Sequence, residues 1–290
     1  MRILVSGTHG FLAPPLISRL VSEGHQVDGL DKKLEYLGPK PVYEKFYRVD
    51  LSKLHEYPFI LGDFKEYDLV YHLAANTNLT DTCYPHYRDN VQGTWNLLKY
   101  TDCPIVFTSS AAVYGEGRRL RELSCMKPDS PYGFTKATAE RMVEVSGRDY
   151  TIFRPGTIVG EYGRTFPNTM IQCAIDNQGL ELYNMGCNLR SIIDVRDVVE
   201  ALVRRPLGTY NLGSREETRM LDLAKLVHQV GLECGLDFRY CPVERTTPGL
   251  AKQVTLYSGK LRRTGWKCKV SLVDTIRRMF EHHIGEKNED

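Results

Sequence analysis

The sequence predicts an α/β protein: a doubly wound parallel sheet, followed by a region of mixed short strands and helices. Three observations carry that expectation. Short apolar, β-branched runs alternate with helix-periodic segments through residues 1–155. A glycine-rich turn joins the first run to the first helical segment. The runs end in small or polar residues (Gly7, Asp31, Asp50, Ala74 and Ser110), at the strand ends where such sheets bind ligands.

Residues 2–6 read as a buried strand, and Gly7-Thr8-His9-Gly10-Phe11-Leu12-Ala13 follows. Residues 11–22 then carry helical periodicity. Gly7 permits the tight turn, Gly10 admits a pyrophosphate to the backbone, and the small Ala13 lets helix and strand pack closely. The free N–H groups of the helix N-terminus point at such a phosphate. Pro14 and Pro15 are awkward here, because Pro15 falls where a helical N–H is wanted. Residues 26–31 form the second strand. Its last residue, Asp31, stands 21 positions after Gly10, where a carboxylate accepts hydrogen bonds from an adenosine ribose. A carboxylate there repels a 2′-phosphate and favours NAD, a preference that Lys32 and Lys33 soften.

Residues 32–43 read as a polar loop and 46–50 as the third strand, with Asp50 and Leu51 beside an adenine. Residues 68–73 form the fourth strand; Ala74 and Ala75 after it leave room for a cofactor. A helix over 83–100 contains Asn90 and Gly93. The fifth strand, 104–108, leads into Ser109-Ser110-Ala111-Ala112-Val113-Tyr114-Gly115, and a sixth covers 150–153. Beyond it, helices are expected over 170–177, 198–204, 221–230 and 272–283, with extended segments over 180–183 and 190–195.

Tyr132 and Lys136 lie four residues apart at the start of a helix-forming run, and so on one helical face. An ammonium beside a phenol favours the phenolate and lowers its pKa, which equips a tyrosine to move a proton at neutral pH.

Gly7-xx-Gly10-xx-Ala13, Asp31, Asp50-Leu51, Asn90 with Gly93-Thr94, Ser109 to Gly115 and Tyr132-xxx-Lys136 follow one another in a specific order. So do Arg154-Pro155-Gly156, Arg190-xxx-Asp194, Tyr210-Asn211 and Gly265-Trp266. In these motifs the chain resembles the extended short-chain dehydrogenases/reductases that act on nucleotide sugars, and within them the UDP-galactose (UDP-glucose) 4-epimerases. The resemblance implies a Rossmann-type NAD domain over 1–155, to which segments near 190–213 return, and a smaller mixed α/β substrate lobe over 156–290. It implies Ser110, Tyr132 and Lys136 as catalytic residues. It implies NAD contacts from Gly7, His9, Gly10, Phe11, Leu12, Asp31, Lys32, Asp50, Leu51, Leu73, Ala74, Ala75, Asn90, Thr108 and Pro155, besides Tyr132 and Lys136. Substrate contacts fall to Ser110, Asn168, Arg190 and Arg245, and no metal is expected. The helices near 83–100 and 131–147 imply a homodimer.

In dehydratases of this kind an Asp-Glu pair follows the strand-five hydroxyl residue, because expelling water takes a second acid/base pair. Here the places hold Ala111 and Ala112, which favours epimerisation through a transient 4-keto sugar. The alternatives are a nucleotide-sugar reductase, dehydrogenase or dehydratase of the same kind and, in another class, a non-catalytic dinucleotide-binding regulator. The substrate half departs from the pattern. Ser191 follows Arg190 where aspartate is usual, and the late stretch runs Arg245-Thr246-Thr247-Pro248-Gly249-Leu250 without its usual aspartate. Two phosphates call for a forked, permanently charged donor, and Arg190 supplies one.

Composition sets the outer limits. In 290 residues the formal net charge is +2, too small for a nucleic-acid surface, and 42% of residues are hydrophobic, as in a globular protein. The eight cysteines lack any Cys-x-x-Cys spacing, which fits a reducing compartment. The apolar runs are too short for a signal-peptide core or a bilayer span. The expectation is a cytoplasmic protein with no membrane or nucleic-acid partner and a UDP-sugar as substrate.

Overall fold

The computed structural model describes residues 1–78, 81–245 and 252–289, with side chains as far as residue 285. The 246–250 part of the late stretch lies outside the described residues. The chain forms two compact units. The first holds Met1–Gly115, Glu122–Arg154 and Val199–Asn211; the second holds Glu116–Arg121, Pro155–Val198 and Leu212–Asp290. Of the stretch near 190–213, then, the part from Val199 to Asn211 belongs to the first unit.

The first unit is built on a seven-stranded sheet. Its strands are β1 (Arg2–Ser6), β2 (Gln26–Asp31), β3 (Lys45–Arg48), β4 (Leu69–His72), β5 (Ile105–Thr108), β6 (Tyr150–Pro155) and β7 (Gly208–Leu212). The spatial order is β7-β6-β5-β4-β1-β2-β3. The pairs β1–β2, β1–β4, β2–β3, β4–β5 and β5–β6 are parallel. The order reverses at β1, so the crevice opens beyond the carboxyl ends of β1 and β4, the usual ligand site of a doubly wound sheet. Parallel strands are covered on both faces and read as continuous apolar runs. Accordingly Ile3, Leu4 and Val5, with Leu69, Val70 and Tyr71, are buried outright.

The helix after the glycine-rich turn is Ala13–Ser22. It begins late enough to put Pro14 and Pro15 among its first three residues, whose N–H groups have no partner inside a helix. That resolves the apparent conflict. The segment expected as one helix over 83–100 has three parts: α-helix Cys83–His86, a π-helical stretch Tyr87–Gln92 and α-helix Gly93–Tyr100. Residues 51–66 form short 3₁₀ turns, the first opened by Asp50, whose carboxylate accepts from the Ser52 N–H at 3.0 Å. The sequence had no periodic signal there.

The second unit has its own core, with Met170, Ile171, Leu223, Val227, Phe238, Met279 and Phe280 among its buried residues. They come from helices Phe166–Ile175, Met220–Glu233 and Leu272–Glu289 and from the loop before Tyr240. A four-stranded sheet runs in the order Thr218–Arg219, Leu189–Arg190, Gln253–Leu256, Gly117–Leu120. Its last strand comes from the sequence just after Gly115, which reads as polar loop because Gly-Arg-Arg-Leu carries no alternation.

Two aspartates of the 190–197 motif anchor this unit. Asp194 Oδ2 accepts from Thr275 Oγ1 at 2.8 Å and from Arg278 Nη2 at 2.6 Å. Asp197 accepts from the backbone N–H groups of Lys269 (3.0 Å) and Val270 (3.0 Å), while its carbonyl receives the Trp266 indole N–H at 3.0 Å. Asp197→Ala takes the buried carboxylate from the Lys269 and Val270 N–H groups and leaves the Trp266 bond to its backbone carbonyl, and the expected loss is about 1–3 kcal/mol of unfolding free energy, read by urea denaturation.

Candidate active site

The site is assembled at the carboxyl ends of the parallel strands. Gly7 sits in the left-handed region at φ 78°, and a Cβ built on it would lie 2.6 Å from the Ala74 backbone nitrogen. The turn after β1 and the chain leaving β4 therefore touch through bare backbone, a contact that only glycine permits. The Gly7 N–H donates to Leu30 O at 2.8 Å and the Gly10 N–H to Gly7 O at 3.1 Å, which closes the turn ahead of the helix.

Asp31 ends β2 with its carboxylate fixed by two backbone donors, His9 N–H at 3.0 Å and Lys33 N–H at 2.9 Å. Lys32, expected to soften the choice of NAD, instead pairs with Asp89 at 2.9 Å. His9 is buried between aromatic rings, 3.9 Å from the Tyr36 ring centroid and stacked on Phe46 at 4.9 Å. Burial holds its pKa below the ordinary histidine value. The loop over 32–43, polar in sequence, thus carries an aromatic wall beside Asp31. Leu37 N–H donates to His9 O at 3.0 Å and the hydroxyls of Tyr36 and Tyr43 are 2.9 Å apart.

Asn90, on the π-helical stretch, is buried. Its Oδ1 accepts from Asn76 N–H at 2.7 Å, and its Nδ2 donates to Asn76 O and to Thr135 Oγ1, both at 3.1 Å. Thr135 donates in turn to Tyr132 O at 3.0 Å. This chain of bonds connects the segment after β4 to the first turn of helix Pro131–Glu144. That helix starts on a Ser130 cap, whose Oγ accepts from Gly133 N–H at 3.2 Å, with Pro131 in its first turn.

Tyr132 and Lys136 lie one turn apart on this helix, and Ser110, the cap of the 3₁₀ turn Ala111–Tyr114, acts on the Tyr132 phenol. Burial pushes the Tyr132 phenol above its ordinary pKa, and Ser110 pulls it back in part. Lys136 is only 2% exposed, its Nζ 4.3 Å from the Phe107 ring centroid. Burial lowers its pKa to about 7, against the pull of Glu140 upward. Both directions are those of the cofactor-free protein, and both come first from burial. His72 is a core residue, held by Ser6 Oγ at 2.8 Å and Thr94 Oγ1 at 2.9 Å, and burial lowers its pKa to about 3.

Behind these residues lies a buried network that sequence reasoning missed. Glu140, one turn beyond Lys136, accepts from Arg154 Nε at 3.0 Å, from Arg154 Nη2 at 2.5 Å and from Ser109 Oγ. Arg154 also donates to Tyr114 Oη at 2.8 Å, and that hydroxyl donates to Asn211 Oδ1 at 2.7 Å. The spacing Tyr132, Lys136, Glu140 was the available signal.

In the second unit Arg190 donates from Nη1 to Leu189 O at 2.8 Å and to Lys252 O at 3.1 Å. Asn168 is buried and turned to its own loop, donating to Gly160 O at 2.7 Å and accepting from Thr165 Oγ1 at 2.8 Å. Arg245 lies at the surface, 3.7 Å from Glu181 and over the Tyr183 ring at 5.7 Å. Pro155, the last residue of β6, begins the second of the three segments that make up the second unit.

The first unit has what a dinucleotide needs: a backbone cradle at Gly7 that a side chain would fill, an acid held in position at Asp31, and buried hydroxyls on Thr8 and Thr108 with no partner among the described residues. Fold and site together define a Rossmann-type dinucleotide-binding protein with a Ser-Tyr-Lys centre.

The comparisons narrow this. Residues 3–208 match the model of the NAD dependent epimerase/dehydratase family, and the chain belongs to that family; its cofactor is NAD. The crystal structure of the Thermus thermophilus UDP-glucose 4-epimerase in complex with NAD is similar at a TM-score of 0.86, with 26% identity over 98% of this chain and 99% of that one. A putative UDP-glucose 4-epimerase of Methanocaldococcus jannaschii is 27% identical over 96% of each chain. A trifunctional UDP-glucose 4,6-dehydratase/UDP-4-keto-6-deoxy-D-glucose 3,5-epimerase/UDP-4-keto-L-rhamnose-reductase of Arabidopsis thaliana is 26% identical. That match takes in 96% of this chain, which spans 46% of the relative's length.

A buried lysine whose pKa is depressed destabilises the fold. The penalty is absent above the unfolded lysine value, grows as pH falls, and is complete below about 7. Lys136→Met is therefore expected to raise the melting temperature of the cofactor-free protein by about 4 °C or more at pH 7. The gain shrinks toward pH 10, and calorimetric scans at the two pH values measure it.

Proposed function

We propose that this protein is an NAD-dependent nucleotide-sugar 4-epimerase. The observation that carries the reading is the turn after Ser110. Ala111 and Ala112 occupy it, so the hydroxyl pair Ser110–Tyr132 stands there without an adjoining carboxylate pair. One acid/base group suffices to take a proton from a sugar hydroxyl and return it; dehydration takes two more groups. The names of the epimerases similar to this chain support the same reading, whereas the dehydratase activity in the Arabidopsis relative's name favours the runner-up.

In this reading Ser110 orients the 4-hydroxyl and Tyr132 removes its proton. Lys136 stabilises the phenolate and holds the nicotinamide ribose. Bound NAD supplies hydride acceptance at C4 and hydride return. Tyr132 reprotonates the oxygen once the 4-keto sugar has presented its other face. Asp31, walled by His9, Tyr36 and Phe46, selects a free ribose 2′-hydroxyl, with Lys32 neutralised by Asp89. Arg190 is the arginine for the substrate diphosphate, and a UDP-sugar is the proposed substrate. Arg245, paired with Glu181, is left to the surface.

We further propose a homodimer through the helices of 83–100 and Pro131–Glu144, where Tyr84 (70%), Trp95 (58%) and Phe134 (62%) are exposed. Such large aromatic groups on adjacent helices mark an interaction face. A cytoplasmic location fits eight cysteines that are all free thiols.

Tyr132→Phe is expected to lower UDP-sugar turnover by about 10³-fold while NAD stays bound. Mass spectrometry of the denatured wild-type protein is expected to find near-stoichiometric NAD; turnover surviving in the variant sinks the mechanism. Trp95→Glu is expected to turn a dimer into a monomer in sedimentation velocity, and a monomeric wild type refutes the interface.

A further inference from the structure

Two buried side chains of the first unit converge on one buried carboxylate, that of Glu140. Glu140 is fully buried, and so nearly are Arg154 (3% exposed) and Ser109 (2%). Glu140 lies one helical turn beyond Lys136, as Lys136 lies one turn beyond Tyr132, so the three form one stripe of helix Pro131–Glu144. Ser109 directly precedes Ser110 at the end of β5, and its backbone N–H donates to Phe153 O at 2.7 Å on β6. One carboxylate thus joins the helix that bears the tyrosine and lysine to the strand ends that bear the serine and the arginine.

We propose that Glu140, held by Arg154, is a positioning residue of the active site that keeps Ser110 in register with Tyr132 and keeps Lys136 charged. The inference deepens the catalytic reading of Ser110, Tyr132 and Lys136 and rests on it. A lysine so buried sheds its proton unless a negative charge stands near. Among the described residues the titratable groups that act on Lys136 are Glu140 on its own helix and His72 on β4, whose pKa burial lowers to about 3. From β5 it meets the uncharged Phe107 ring. Glu140 is therefore the carboxylate that opposes desolvation. Arg154 offsets part of that charge and fixes the carboxylate in place through its Nε and Nη2 donors.

The test is a titration of Lys136 by nuclear magnetic resonance on protein labelled with ¹³C at lysine Cε, free of cofactor and substrate. Its signal is the one missing from Lys136→Met. The wild-type midpoint is expected near 7. In Glu140→Gln, which retains an oxygen acceptor for Ser109, the midpoint is expected to fall by about one pH unit, a tenfold shift in the protonation equilibrium. If Glu140→Gln does not fold, the paired variant Glu140→Met with Arg154→Met removes both buried charges together, and a smaller fall in the same direction is expected. An unchanged midpoint, or a wild-type lysine titrating near 10, overturns the proposal. No substrate enters the measurement, so a wrong assignment of the reaction leaves its outcome untouched. A companion measurement covers the catalytic role: the pH profile of turnover moves in Glu140→Gln if the residue sets charge. A uniform drop at every pH marks a merely structural part and overturns it.

Discussion

The buried pair of Glu140 and Arg154 is the contact that ties the first unit's working parts together. Helix Pro131–Glu144 packs on the sheet, but packing alone does not fix its height along the strands. A carboxylate that must meet a guanidinium on β6 and a hydroxyl just after β5 does fix it, since a slip of one turn would strand three buried polar groups. Such a pair adds little net stability over an apolar substitute, because both charges are desolvated; its effect is on uniqueness. Tyr114 and Asn211 extend the same constraint to β7.

That constraint gives the buried Tyr132 and Lys136 a fixed support. Tyr132 and Lys136 both sit at protonation states strained by burial, the phenol raised and the ammonium lowered. Only a rigid support keeps groups in such positions without letting in the water that would relax them. The other end of the site is built by a different rule. Around Gly7 and Asp31 the backbone does the positioning: amides of His9 and Lys33 hold the acid, and a missing side chain lets two loops touch. Backbone suits a phosphate and a ribose, which need many fixed donors and little tuning of charge.

The sheet was legible because its strands are buried on both faces and end abruptly in glycine, acid or serine. Gly7, Asp31 and Ser110 could be read as ligand-facing from that alone. What escaped had no periodic signature. Gly117–Leu120 is short and basic, yet it forms a strand of the second unit by pairing with Gln253–Leu256. The aromatic wall of His9, Tyr36 and Phe46 joins residues from three segments, the glycine-rich turn, the 32–43 loop and the third strand, and no local pattern shows that their rings meet. The π-helical turn at Tyr87–Gln92 carries the buried Asn90, and no propensity scale marks such a turn in advance. The Tyr-Lys spacing pointed to a shared helical face, but the sign of the tyrosine's shift depended on burial, a tertiary quantity.

The sharpest test of the account follows hydrogen at the sugar's C4. UDP-glucose carrying deuterium at C4 is incubated with the protein and the products are examined by proton magnetic resonance. The account predicts UDP-galactose that retains the deuterium at C4, because hydride leaves and returns within one closed site. A 4-keto-6-deoxy sugar that has lost water and gained hydrogen from solvent at C5 would contradict it and make the protein a dehydratase.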